Sequence, residues 1–100
     1  MARYGLFVNP DGEGYLLDVQ ADLLADLSTR TVVPLVPQSA APKALKRLNP
    51  VFTIGGKQYV MFTHLIGTMN VSGLVETRIS LVDFREQVDA ALEMMLFRGF

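Results

Sequence analysis

Short runs of aliphatic, β-branched and aromatic residues, cut by turn-forming residues, fill most of this chain, and only its end shifts to apolar spacings of three and four. Tyr4-Gly5-Leu6-Phe7-Val8 and Tyr15-Leu16-Leu17-Asp18-Val19 read as strands joined by Asn9-Pro10-Asp11-Gly12-Glu13-Gly14. Proline presets one turn dihedral there and glycine supplies positive φ, so the pattern predicts a hairpin with a loop longer than two residues. Thr31–Val36 is the next expected strand, and its internal Pro34, which has no amide to give a ladder, is expected at an edge or a bulge, with the sheet interrupted there. Val51–Ile54 and Lys57–Phe62 flank Gly55-Gly56, the clearest hairpin signal in the chain. Extended stretches follow near Met69–Val71 and Leu74–Ile79. About five to seven strands, mostly antiparallel, are expected.

From Pro37 to Pro50 the pattern dissolves into prolines, alanines and the basic run Lys43-Ala44-Leu45-Lys46-Arg47, read as a surface loop with room for one helical turn at Pro42–Leu48. At the end, Leu81, Phe84, Val88, Ala91, Leu92, Met95 and Gly99 recur at three and four while Asp83, Glu86, Gln87 and Glu93 face away. This predicts one amphipathic helix of about four to five turns. Ser80-Leu81-Val82-Asp83 resembles a capping box at its start, and Gly99 suits its stop. Met94 and Phe97 lie beside the apolar face, so the apolar arc is wider than one core needs and the surplus points to a protein interface. The terminal stretch Leu96-Phe97-Arg98-Gly99-Phe100 is unusually apolar for a chain end, as expected of a tip kept for a partner.

The 100 residues suit a single domain, 1–100, with one core. Nine basic and ten acidic side chains leave a net charge of −1, which argues against direct binding of nucleic acid or an acidic membrane surface. Cysteine is absent, excluding disulfides, thiolate metal sites and cysteine nucleophiles, and the default location is the cytoplasm. No stretch approaches the roughly 18 unbroken apolar residues of a membrane span, and the start lacks the apolar run of a signal peptide, so an unprocessed soluble chain is expected.

No residue set carries obvious chemistry, and no cofactor is expected. His64, the one histidine, has no second His or Cys to join it in a metal site, so a structural or exposed role is favoured. Gly12-Glu13-Gly14 and Gly55-Gly56-Lys57 faintly suggest phosphate loops, but neither opens a helix at the required spacing, and turn glycines are the better reading. Asp18, Asp22 and Asp26, spaced by four, are read as solvated or capping carboxylates.

Asp18-Val19-Gln20-Ala21-Asp22-Leu23-Leu24, followed by Thr29-Arg30-Thr31-Val32-Val33-Pro34-Leu35, resembles the signature of CcdB toxins. Asn49-Pro50-Val51-Phe52-Thr53-Ile54-Gly55 resembles that family's proline-led central strand, and the likeness runs through essentially the whole chain except Pro37–Leu48. The resemblance implies a mainly β (α+β) fold: a twisted antiparallel SH3-like barrel with one C-terminal helix, paired as a symmetric homodimer. It further implies a toxin of a type II toxin–antitoxin system that binds the GyrA subunit of DNA gyrase and traps the enzyme on cleaved DNA. The toxin would be a poison of that enzyme and not an enzyme itself. A CcdA-like antitoxin, folding onto the toxin, would neutralise it.

By the same resemblance, the gyrase-binding residues are Phe97, Arg98, Gly99 and Phe100, with Leu23, Leu24 and Met94. The family's tip has a tryptophan before the glycine where this chain has Arg98. With the chain one residue longer from the helix onward, Phe97 is the other candidate for the aromatic role, and either placement leaves Gly99 and Phe100 as the closing pair. The basic residues Lys43, Lys46 and Arg47 invite assignment to an acidic antitoxin segment, against the plainer reading of a solvated surface. Two rivals remain. One is a barrel-fold endoribonuclease toxin of the MazF and Kid type, drawing on Arg30, His64, Arg78 and Asp83; the other is a decayed toxin that only binds antitoxin.

Overall fold

Strand β3, Thr29–Pro37, organises the sheet, because its nine residues are long enough to take three different partners. The computed structural model describes residues 2–41 and 45–97. Before β3 come β1 (Gly5–Val8) and β2 (Tyr15–Asp18); after it come β4 (Val51–Ile54), β5 (Lys57–Met61), β6 (Gly67–Asn70) and β7 (Glu76–Ser80). Every pairing is antiparallel, in the order β4-β5-β3-β2-β1-β7 with β6 also on β3. One helix, α1 (Arg85–Leu96), follows. The fold is the mainly β, SH3-like half-barrel with a C-terminal helix that the sequence leads one to expect.

Pro34 is where the sheet is interrupted, though not at an edge. On one side β2 runs past it unbroken, with Leu16 opposite Pro34. On the other side β6 ends at the Val32–Gly67 pair and β5 begins at Leu35–Met61, so the residue without an amide falls in the gap between two partners. The Gly55-Gly56 hairpin forms with positive φ at both glycines, 60° and 80°, as a two-residue turn requires. The long β1–β2 loop closes with Asn9 N–H donating to the Gly14 carbonyl and Asp11 N–H to Asn9 Oδ1.

Alternation along the strands divides the apolar residues between two faces. Leu6, Leu17, Val33 and Leu35 join Met61, Phe52 and the helix residues Val88, Ala91 and Leu92 in the main core. Phe7, Leu16 and Val32 form a smaller cluster on the other face, covered by Met69 and Leu74. Between β1 and β7 the register slips, Gly5 facing Ser80 and Phe7 facing Glu76. Thr77 bridges the slip, its hydroxyl donating to the Leu6 carbonyl at 2.7 Å and accepting from Ile79 N–H at 3.1 Å.

The capping box does not form. Ser80 is still the last residue of β7, and its hydroxyl accepts from Val82 N–H at 3.2 Å, one residue short of Asp83. Leu81 is drawn into the core, 3% exposed, with its amide bonded to the Tyr4 carbonyl. The chain therefore makes a 3-10 turn over Val82–Phe84 before entering α1, and the helix starts later than predicted. Two residues assigned to its buried face lie outside the main core: Phe84 is 48% exposed against the Phe52 ring, and Met95 is 37% exposed. Gly99, its expected stop, lies outside the described residues. The Pro37–Pro50 connection holds a 3-10 turn at Gln38–Ala40, and Asn49 is buried, its Nδ2 donating to the Met61 carbonyl at 2.9 Å.

Candidate partner-binding site

Two exposed apolar segments meet at one end of the molecule. Between β2 and β3 the chain makes a 3-10 turn at Asp22–Leu24 in which no residue is buried. Leu23 stands 93% exposed, with Leu24 and Leu27 about half exposed. Across from it, α1 ends on Leu96 and is followed by Phe97, 54% and 78% exposed. Leu24, Leu96 and Phe97 line a single groove of about 670 Å³, together with the buried side chains of Val19 and Leu92. A mostly apolar concavity with exposed apolar lips suits a protein segment better than a small polar substrate.

Polar contacts fasten both sides of this groove. Arg3 donates its backbone amide to Asp22 Oδ1 at 2.9 Å and its Nη2 to Asp89 Oδ1 at 3.3 Å, so one residue links the turn to α1. Tyr4, whose φ of 74° is in the left-handed region, donates its hydroxyl to both oxygens of Asp89 at 2.9 and 3.0 Å. Its backbone is pinned there on both sides, by Tyr4 N–H to the Asp18 carbonyl and by Leu81 N–H to the Tyr4 carbonyl. Burial, and next the bond to Asp89, push the Tyr4 hydroxyl above its ordinary pKa.

Under the turn lies a buried ion pair. Asp18 is not solvated as its sequence context suggests. It is fully buried at the end of β2, and the equally buried Arg30 donates Nε and Nη2 to its Oδ2 at 3.0 and 2.5 Å. The antiparallel register explains this, because Asp18 faces Val32 and Arg30 lies two residues from Val32 on the same face. Asp18 Oδ1 accepts the Gln20 amide at 3.0 Å. Burial pushes the Asp18 carboxyl upward, while Arg30 and the Gln20 amide pull against it. Asp22 and Asp26 are exposed, and Asp22 acts as the acceptor for Arg3.

The other candidates fall as follows. Leu24 and Phe97 are brought together on the groove; Leu23 projects from the same turn, and Met94 is half-buried on α1, neither of them lining the groove. Arg98, Gly99 and Phe100 lie outside the described residues, as does Lys43, while Lys46 and Arg47 are exposed in a turn. Leu96, part of the apolar end expected to meet a partner, lines the groove, and Arg3 and Gln20 join the site without having been singled out for it. Arg3 and Gln20 act partly through backbone groups, which residue type does not announce.

His64 is exposed in a 3-10 turn beside Phe62, and no group of three or more His, Cys, Asp or Glu among the described residues could hold a metal ion. The two glycine turns meet through their charges instead of cradling an anion: Lys57 donates to Glu13 at 2.8 Å, raising the lysine's pKa and lowering the glutamate's. Of the four residues available to a ribonuclease reading, Arg30 is sealed against Asp18, and His64, Arg78 and Asp83 sit on three separate elements.

The chain matches the family model described as CcdB protein over residues 3–99. It belongs to the CcdB family. CcdB proteins are toxins of toxin–antitoxin pairs, and the half-barrel, single helix and exposed apolar end found here are those of this CcdB chain. No curated protein matches it. Among the described residues, no helix is long and apolar enough to cross a membrane.

Proposed function

We propose that this CcdB-family toxin, one domain over residues 1–100, acts in the cytoplasm as a symmetric homodimer that binds the GyrA subunit of DNA gyrase and traps the enzyme on cleaved DNA. The observation that supports this reading is the groove itself. Ala21 and Leu24 from one segment and Leu96 and Phe97 from another, distant in sequence, line one mostly apolar cavity, and Leu24, Leu96 and Phe97 are exposed there. The C-terminal residues Arg98, Gly99 and Phe100 continue from Phe97 and would extend the contact. In a two-fold dimer two copies of such a surface can engage a dimeric target together. With a net charge of −1, the protein damages DNA through a protein partner and not by gripping the duplex. A CcdA-like antitoxin, with acidic residues facing Lys43, Lys46 and Arg47, would neutralise it.

A gyrase supercoiling and cleavage assay tests the reading, run with the full-length chain and with a chain lacking Arg98–Phe100. Linear, enzyme-linked DNA formed only by the full-length protein is the expected result. No inhibition by a folded, dimeric full-length protein would overturn the reading, and degradation of single-stranded RNA by the same preparation would replace it with the ribonuclease class.

A further inference from the structure

Gln20 is 6% exposed and stands where β2 gives way to the turn that presents Leu23 and Leu24. Its side-chain amide uses both ends. Nε2 donates to the Leu24 carbonyl at 2.8 Å, and Oε1 accepts from Thr31 N–H, on β3, at 3.1 Å. Its own backbone amide is held by Asp18, whose second oxygen is held by Arg30. The turn has no buried side chain, and its internal bonds are single-turn contacts, Leu24 N–H to Ala21, Ala25 N–H to Asp22 and Leu27 N–H to Leu24. A segment so poorly anchored by apolar contact opens locally at little cost unless something ties it to the rigid sheet. The exposed Arg3–Asp22 bond is one tie; Gln20 is the buried one.

The geometry points to Gln20 as a positioning residue: it clamps the Ala21–Leu24 turn to β3 and so fixes Leu24 opposite Phe97 across the groove. The proposal rests on the reading that this groove receives the gyrase subunit, since only then does the clamp govern affinity. A turn that is ordered only part of the time binds in proportion to the ordered fraction, so the side chain acts on the partner without touching it.

Gln20→Met, close in length and without either amide bond, is compared with the native chain by amide hydrogen exchange and by binding to purified GyrA. The expected result is a loss of about tenfold or more in protection at Leu24, Ala25 and Leu27, and at Thr31, whose own acceptor is removed, with the other amides of β3 and those of α1 changed by less than about threefold, and about tenfold weaker binding. Unchanged protection in the turn, or loss there in step with β3 and α1, would overturn the proposal, the latter because it marks a merely structural role. Gln20→Asn covers the case in which Gln20→Met does not fold, since it stays neutral and polar but is one methylene too short to reach both Thr31 N–H and the Leu24 carbonyl; the same local loss is expected. The exchange measurement needs no gyrase. Failure of the native chain to bind GyrA would therefore end the functional reading while the clamp was judged on exchange alone.

Discussion

Arg30 and Asp18 form an ion pair with both side chains sealed from solvent, the guanidinium placing Nε and Nη2 on one carboxylate oxygen at 3.0 and 2.5 Å. The pair is incompletely satisfied, for Arg30 Nη1 has no partner among the described residues. Desolvating both charges offsets much of their attraction, whereas removing one alone strands the other in the interior. Asp18→Leu or Arg30→Met alone is expected to cost about 3–5 kcal/mol in urea unfolding, and the double change to recover most of that loss. Additive losses in the double variant would show that the pair is not coupled as drawn.

How much of this was legible in the sequence follows from what each signal measures. Alternation and turn residues located all seven strands to within a few residues, because local chemistry decides them. Asp18 defeated the same reading. Its neighbours Leu17 and Val19 mark a strand end, but burial of an aspartate depends on which residue the next strand sets beside it, and Arg30 arrives only through the β2–β3 register. The capping box failed for a related reason, since pairing kept Ser80 in β7. Leu24 entered as a site residue through family resemblance alone and Phe97 also through the wide apolar arc of the helix, and nothing in their spacing announced a shared groove.

Tyr4 predicts a response to alkali. Its folded pKa is raised, by burial and then by the bond to Asp89, so the unfolded chain gives up its proton first as pH rises. Tyr4 therefore contributes stability that is fully present below about pH 10 and is lost as pH climbs through the folded value. Tyr15, raised chiefly by burial, adds to the same slope. Tyr4→Phe is expected to lower stability by about 1–3 kcal/mol at pH 7 through loss of the Asp89 bond, and to flatten part of the decline above pH 10. Unfolding curves between pH 7 and 11 provide the check; an unaltered slope in Tyr4→Phe would remove Tyr4 from the account.

Gly14 has φ of 106°, and a Cβ built there would lie 2.1 Å from the Leu35 carbonyl oxygen. Backbone cannot yield as a flexible side chain would, so Gly14→Ala meets both a forbidden dihedral and a collision where the β1–β2 loop crosses β3. A loss of about 3 kcal/mol or more is expected. Gly12→Ala, in the same loop with nothing within 4 Å and no positive φ, should stay within about 0.5 kcal/mol of the native protein. Thermal unfolding of the two variants side by side separates a required glycine from a tolerated one.

Lys46 and Arg47 are exposed, and neither has an ion pair among the described residues. If they face an acidic antitoxin segment, reversing both charges to Glu should weaken antitoxin binding and make the loss salt-dependent, while killing by the free toxin persists. Isothermal titration at two ionic strengths measures this; full neutralisation of the reversed toxin would leave these residues as ordinary solvated surface.

Leu23 and Phe97 separate function from folding most sharply, because each is so exposed that the fold scarcely registers it, at 93% and 78%. Leu23→Ser and Phe97→Ala should each unfold within about 0.5 kcal/mol of the native protein. Truncating a central apolar anchor of a protein interface costs about 2 kcal/mol or more, roughly a thirtyfold loss of affinity. Each variant is accordingly expected to remain folded and to lose most killing on induction, and Phe97→Ala with Phe100→Ala to lose all of it. Killing that survived the double change in a folded protein would remove the aromatic tip from the contact and leave the Leu23–Leu24 turn to carry it alone.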